Sequence, residues 1–178
     1  KNYITLKPRI VPRTGAKYAG NRFHKSKVFI VERLMNKMMV TGRAGGKKHT
    51  ISSGHLTGKT HTVYNITIEA FEIVEKKLNM NPVEAFVKAL ENAAPREEIL
   101  TIEYGGARYP KPVECAPQRR IDRVLKFMTQ GAYKSSFNNK KSMAEALAQE
   151  IVEAFNMSQG SKAISKKIEV ERQCDSSR

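Results

Sequence analysis

Between positions 28 and 39 the apolar residues Val28, Val31, Leu34, Met35, Met38 and Met39 recur three and four apart, the spacing of one helical face. The polar stretch that follows, GRAGGKKHTISSGHLTG at 42–58, has little to bury and reads as a long loop. Helical spacing returns over 63–78, with Val63, Ile66, Ala70, Ile73 and Val74 as the stripe. A third helix opens where Asn81 can cap, Pro82 suits the first turn and Glu84 can close an Asn-x-x-Glu box. Its predicted buried face is Val83, Phe86, Val87 and Leu90, and it must end before Pro95.

The period then changes. Residues 99–102, Ile-Leu-Thr-Ile, are β-prone, Gly105-Gly106 signals a turn, and 108–115 returns as a second strand. Pro110 and Pro112 stand two apart, so both turn their missing N–H the same way, which an isolated ribbon tolerates on its outer edge. Pro117 opens a fourth helix to about residue 132, with Ile121, Val124, Leu125, Met128 and Ala132 in one narrow arc. A capping box at 142–145 starts a fifth, burying Met143, Leu147, Ile151 and Phe155 until Gly160 breaks it. A weaker basic helix occupies 161–173, and no internal repeat is visible. The expected fold is mainly α: a compact bundle of about six helices, one protruding antiparallel β-hairpin at about 97–115, and a basic extended N-terminal arm.

Charge changes the picture. The chain has 178 residues and a formal net charge of +15, which costs stability through self-repulsion unless a polyanion neutralises it. Residues 1–68 hold 14 Lys plus Arg against one acid, Glu32, while 69–178 hold 18 basic and 16 acidic residues. The arm, residues 1–27, has eight basic groups and no acid among scattered prolines and glycines. With little apolar surface it is expected to be largely disordered alone and to order along phosphates. Residues 28–178 form the expected single domain, with a basic loop insertion at about 42–61. No apolar run is long enough to span a bilayer and no signal-peptide core opens the chain, so the expectation is an intracellular protein without a membrane. The chain begins on Lys1, so its natural start is expected upstream. Cys115 and Cys174 are too far apart for a CxxC unit, which leaves no disulfide framework or cysteine zinc site to argue for.

Few motifs carry chemistry. Gly42 to Gly46 before Lys47-Lys48, and Gly54 to Gly58 before Lys59-Thr60, look like phosphate loops, but each has three residues between its glycines where four are needed. His49, His55 and His61 recur at intervals of six without a carboxylate in the loop, and read as polar loop residues rather than metal ligands. No nucleophile constellation or specific carboxylate pair is visible, so neither an enzyme nor a cofactor is expected. On the fourth helix Arg119, Arg123 and Lys126 fall within a roughly 60-degree arc opposite the apolar stripe. Together with the arm and with Arg43, Lys47 and Lys48 they compose a multi-contact phosphate surface. The hairpin adds Tyr104, Arg108 and Tyr109 around its glycine tip, a stacking and hydrogen-bonding set suited to unstacked RNA. Core packing is the competing role, more for Tyr104 than for Tyr109. A stand-alone DNA-binding or chromatin factor would share the charge, but no helix-turn-helix or zinc-finger spacing aims a reading helix.

Residues 81–135, NPVEAFVKALENAAPREEILTIEYGGARYPKPVECAPQRRIDRVLKFMTQGAYKS, closely resemble the small-subunit ribosomal protein seven family. The likeness continues through KSMAEALA at 141–148 and back to VERLMNKMMVTGRAGGKK at 31–48. The loop between the first two helices resembles the archaeal and eukaryotic branch. The resemblance implies a cytoplasmic, non-enzymatic constituent of the small ribosomal subunit, present as a monomer within the ribosome. It also implies primary binding to the 3′ major domain of ribosomal RNA, nucleation of the subunit head, and neighbouring ribosomal proteins as partners. The hairpin would lie near exit-site transfer RNA and the message. Carried over, the ribosomal-RNA candidates are Arg9, Arg13, Lys17, Arg22, Lys25 and Lys27 of the arm, then Arg43, Lys47, Lys48, Arg119, Arg123 and Lys126. The hairpin candidates are Gly105, Gly106, Arg108 and Tyr109.

Overall fold

The computed structural model describes residues 3–7, 11–15, 17, 19–40 and 56–178. In chain order it holds α1 (Ile30–Met38), α2 (Thr60–Leu78), α3 (Pro82–Ala93), β1 (Glu97–Tyr104), β2 (Ala107–Glu114), α4 (Pro117–Ser136), α5 (Met143–Phe155) and α6 (Lys162–Ser176). The mainly helical architecture with one antiparallel hairpin agrees with the sequence pattern. Boundaries differ where polar residues extend an element: α2 starts at Thr60 rather than 63, and α6 runs on to Ser176. Most of the expected basic loop, with Arg43, Lys47, Lys48, His49 and His55, lies outside the described residues, as does Arg9. Among the described residues no helix is long and apolar enough to cross a membrane.

The core is organised around α5, which packs against α2, α3 and α4 and also touches α6. Ala144, Ala146, Leu147, Ala148, Ile151 and Ala154 are all buried, so α5 is apolar on more than one face, as an interior helix must be. Its alanines let neighbouring backbones come close. That closeness also turns α3: Ala85, Phe86, Ala89, Leu90 and Ala93 are its buried positions, while Val83 and Val87 are only half-buried. Met143 and Phe155, at the ends of α5, are half-buried as well. The Ser142–Glu145 capping box forms in both directions, at 3.1 and 3.3 Å. Asn81 Oδ1 accepts from Val83 N–H at 2.9 Å, but no reciprocal Glu84 bond closes the box that spacing allowed. Helix α5 also stops before Gly160: it ends at Phe155, and Met157 turns the chain with a φ of 53°.

The acid that α5 buries answers the start of α6. Glu150 Oε1 accepts from the Ser161 hydroxyl at 2.8 Å and from Ala163 N–H at 2.9 Å. Gly131 of α4 makes room for it, since a Cβ there would stand 2.7 Å from Lys162 Cβ and 3.0 Å from the Glu150 carboxyl. Burial pushes the Glu150 carboxyl above its ordinary value, against the lowering effect of the donors at Ala163, Ser161 and Lys162.

The hairpin pairs Tyr104 with Ala107 across Gly105 and Gly106, whose φ values of 55° and 81° are those of a two-residue primed turn. Counting from that closing pair, Pro110 opposite Thr101 and Pro112 opposite Ile99 fall at the non-hydrogen-bonded positions. The missing N–H groups therefore cost no ladder bond, as expected.

The described parts of the arm are tethered by polar contacts. Thr5 bridges to Phe29, and its carbonyl accepts from Ile30 N–H at 3.3 Å. Buried Glu32 accepts from Thr14 N–H at 2.8 Å and from its hydroxyl at 2.6 Å. Asp122 of α4 receives Lys25 at 3.0 Å and Arg33 of α1 at 3.1 Å, joining arm, α1 and α4. Burial raises the Asp122 carboxyl, but hydrogen bonds from Lys25 and Arg33 outweigh it and hold the group below its ordinary value.

Two stability predictions follow from these carboxylates. Glu150→Ala leaves the Ser161 hydroxyl and the first N–H groups of α6 unpaired and is expected to cost about 2–3 kcal/mol in thermal or urea denaturation. The folded state holds the Glu150 proton to higher pH than the unfolded chain. The stability gap between wild type and Glu150→Ala should therefore narrow as pH rises from the ordinary carboxylate range through the raised folded value. Asp122→Asn has the opposite sign. It is expected to lower stability by about 1.5–3 kcal/mol at neutral pH, the range for hydrogen bonds to charged groups. That gap should close as pH falls through the depressed value of Asp122, measured as Tm against pH for both proteins.

Candidate nucleic-acid interface

Helix α1 turns Ile30, Val31, Leu34, Met35 and Met38 inward, which leaves Arg33 and Lys37 along its border with α4. Between the two helices runs a groove of about 750 Å³ lined by Lys25, Arg33, Lys37, Asp122 and Lys126 among others. Arg33 is only 6% exposed, and its Nη1 is buried without a partner among the described residues. Asp122 holds its other nitrogen in place. Four cations and one acid give the groove a net positive field, to which a phosphate chain is complementary.

Of the basic arc on α4, only Lys126 stands free of a described ion pair at the groove. Arg119 and Arg123 both close on Glu98, at the root of β1. The hydrogen bond to Glu98, reinforced by its charge, raises the Arg119 pKa. The sequence arc placed these side chains correctly outside the core but missed the carboxylate between them, because Glu98 arrives from another element. The rest of the root is similarly tied. Arg178 holds Glu97 through two bonds of 2.7 and 2.8 Å, and Arg120 donates to the Arg96 carbonyl at 3.2 Å. Arg119 and Arg123 thus hold the hairpin root on α4 through Glu98.

Beyond its root the hairpin builds no core. Leu100, Ile102, Tyr104 and Tyr109 share one face by register, and all are exposed. Tyr104 is 81% exposed and Tyr109 is 53% exposed, which corrects the expectation that Tyr104 is the one that packs. It sits beside the turn, where no second layer covers it. Arg108 meets Glu103 across the strands at 3.7 Å, an exposed pair worth little.

In the arm Arg13, Lys17, Arg22, Lys25 and Lys27 are all exposed. The Arg13 guanidinium lies over the Tyr64 ring at 4.9 Å and donates to His61 Nδ1 at 3.4 Å, so that histidine has a cation for a neighbour. Among the described residues no group of three His, Cys, Asp or Glu could hold a metal. Cys115 and Cys174 are buried and unpaired, and burial pushes both thiols up, away from the reactive thiolate. Sequence reasoning missed Arg33, Lys37, Asp122 and Glu98. The signal available for Asp122 was an acid about 40 degrees beyond the Lys126 edge of the Arg119–Arg123–Lys126 arc.

The comparisons with known proteins agree with this geometry. The family model described as "Ribosomal protein S7p/S5e" matches residues 1–178. The chain is 49% identical to "Small ribosomal subunit protein uS7" of Nanoarchaeum equitans over 178 residues, covering all of this chain and 89% of that protein. It is 44% identical to the protein of the same name from Archaeoglobus fulgidus, over all of this chain and 86% of that one. A Methanosphaera stadtmanae protein of that name is 46% identical over 172 residues, 97% of this chain and 86% of the relative. These relatives are archaeal, as the resemblance to the archaeal and eukaryotic branch implied. A helical core, a projecting hairpin and a cationic outer surface without reactive groups are what a structural RNA-binding protein needs, and the chain belongs to the ribosomal protein S7p/S5e family, whose members are structural RNA-binding proteins and not enzymes.

Proposed function

We propose that the chain binds the 3′ major domain of small-subunit ribosomal RNA directly and nucleates the subunit head, its hairpin directed toward exit-site transfer RNA and the message. As a ribosomal protein of the small subunit it works in the cytoplasmic ribosome, among ribosomal RNA and other ribosomal proteins. The observation that carries the finer reading is the division of the surface. The cationic groove and arm offer phosphate contacts at Arg13, Lys17, Arg22, Lys25, Lys27 and Lys126, while the hairpin offers aromatic faces and, with Glu97, Glu98, Glu103 and Glu114 against Arg108 and Lys111, no cationic excess. Arg9, Arg43, Lys47 and Lys48 extend the same phosphate set by their chemistry. In this reading residues 1–27 act as an arm on a single domain, 28–178. Gly105, Gly106, Arg108 and Tyr109 form the contact end of the hairpin.

Two measurements test the division. Lys126→Gln should flatten the salt dependence of binding to a 3′ major domain transcript by about 0.7–0.9 slope units, one phosphate contact. Arg119 and Arg123 share the single Glu98 carboxylate and leave about one net charge for a phosphate, so adding Arg119→Gln and Arg123→Gln should bring the loss to about 1.4–1.8 units. An unchanged slope in folded protein would return this face to plain solvent exposure. Replacing residues 103–110 by a short glycine-serine turn should leave a folded protein that enters small subunits, with weaker exit-site transfer RNA retention in those subunits. Loss of assembly with normal exit-site occupancy in the few subunits formed would reverse the assignment.

A further inference from the structure

Phe23 is the anomaly of the arm. It is a bulky residue at φ 60° and ψ 15°, a left-handed conformation that glycine or asparagine would adopt more easily. Its ring is 73% exposed and is absent from the hydrophobic residues packed against the core. Neither the backbone nor the apolar core gains from a phenyl group here.

The surroundings nevertheless hold it in place. The Asn21 carbonyl accepts from His24 Nδ1–H at 2.8 Å, and the Phe23 carbonyl accepts from the Ser26 hydroxyl at 3.0 Å. Lys25 pins the following turn to Asp122 at 3.0 Å. Strain that persists because its neighbours over-determine it is a mark of binding sites. The Arg22 guanidinium lies 4.8 Å from the ring centroid, covering one face of the phenyl group and leaving the other open. Beside it is a cavity of about 670 Å³ bordered by Tyr3, Lys25 and Gln118. Gln118 donates from Nε2 to the Tyr3 carbonyl at 3.2 Å, while its Oε1 is buried with no partner among the described residues. An aromatic face, a guanidinium stacked on it, the exposed Lys25 held at the cavity edge by Asp122 and an unpaired amide acceptor together fit one ligand chemistry.

We propose that Phe23 is a base-stacking site, on which the open ring face receives an unpaired RNA nucleobase while Arg22 and Lys25 meet its flanking phosphates. The proposal rests on the RNA-binding reading above and adds the kind of RNA that this part of the arm takes: an unstacked nucleotide rather than a continuous duplex. An aliphatic partner could cover the ring but would bring no charge for Arg22 and Lys25. A base brings both the π-face and the phosphates.

The chain contains no tryptophan, so Phe23→Trp places a single fluorophore at the site. Titrating that full-length variant with single-stranded oligo(A) should quench its emission, and a paired RNA duplex of equal length should leave the emission unchanged. Phe23→Ala should lose about 5- to 160-fold in affinity for oligo(A), the range for one base–aromatic stack, with the salt slope and duplex affinity retained. Phe23→Gly, which suits the left-handed backbone, should keep or raise Tm and bind oligo(A) as weakly as the alanine variant. Phe23→Tyr should restore binding. Oligo(A) binding without quenching, full affinity in Phe23→Ala, or a lowered Tm in Phe23→Gly would each overturn the stacking site and leave the RNA reading standing. Absence of binding by wild type to both RNAs at low salt would overturn the two together.

Discussion

The burial of α5 against α2, α3 and α4 governs the rest of this molecule. An interior helix can present only small and apolar side chains to its neighbours, and Ala144, Ala146, Ala148 and Ala154 meet that demand beside Leu147 and Ile151. The single acid it buries, Glu150, is tolerated because the hydroxyl of Ser161 and the first N–H groups of α6 converge on it. Among the described residues Arg33 is the one buried cation, held by Asp122, and the rest of the described positive charge lies outside.

On that outside the few acids near the arm and α4 act as clamps rather than as a diluting background. Glu32 gathers Thr14, Asp122 gathers Lys25 and Arg33, and Glu98 gathers Arg119 and Arg123. Each draws together segments that repulsion would otherwise spread. The field left for a polyanion is that of the remaining exposed cations, with Lys126 and the arm foremost. The side chains that hold arm, α1 and α4 together, Lys25, Arg33 and Asp122, also line the groove.

Aromatic chemistry is distributed differently from charge. Tyr104 and Tyr109 stand on a ribbon that has no second layer, and Phe23 stands on a strained turn of the arm. Such exposed rings contribute nothing to the core, and an RNA surface gives them a role that burial does not. Under the proposed function that surface would turn projections that are liabilities on a free protein into contacts.

The helices, their caps and the hairpin turn were legible in the chain because each is set within a few residues. Period 3.6 marked α1 to α5, Ser142 and Glu145 marked a cap, and Gly105-Gly106 marked a backbone able to close a primed turn. The basic arc on α4 was legible for the same reason. Its partner was not, since Glu98 stands more than twenty residues away, and nothing local says which acid a helix face will meet. The tether from Lys25 to Asp122 spans an even longer separation, and the rotation of α3 onto its alanines depended on how near α5 would come. Local order follows from bonds made within a turn or two of the chain. Pairings between distant elements follow from packing, which fixes the backbone first and only then brings the charges within reach.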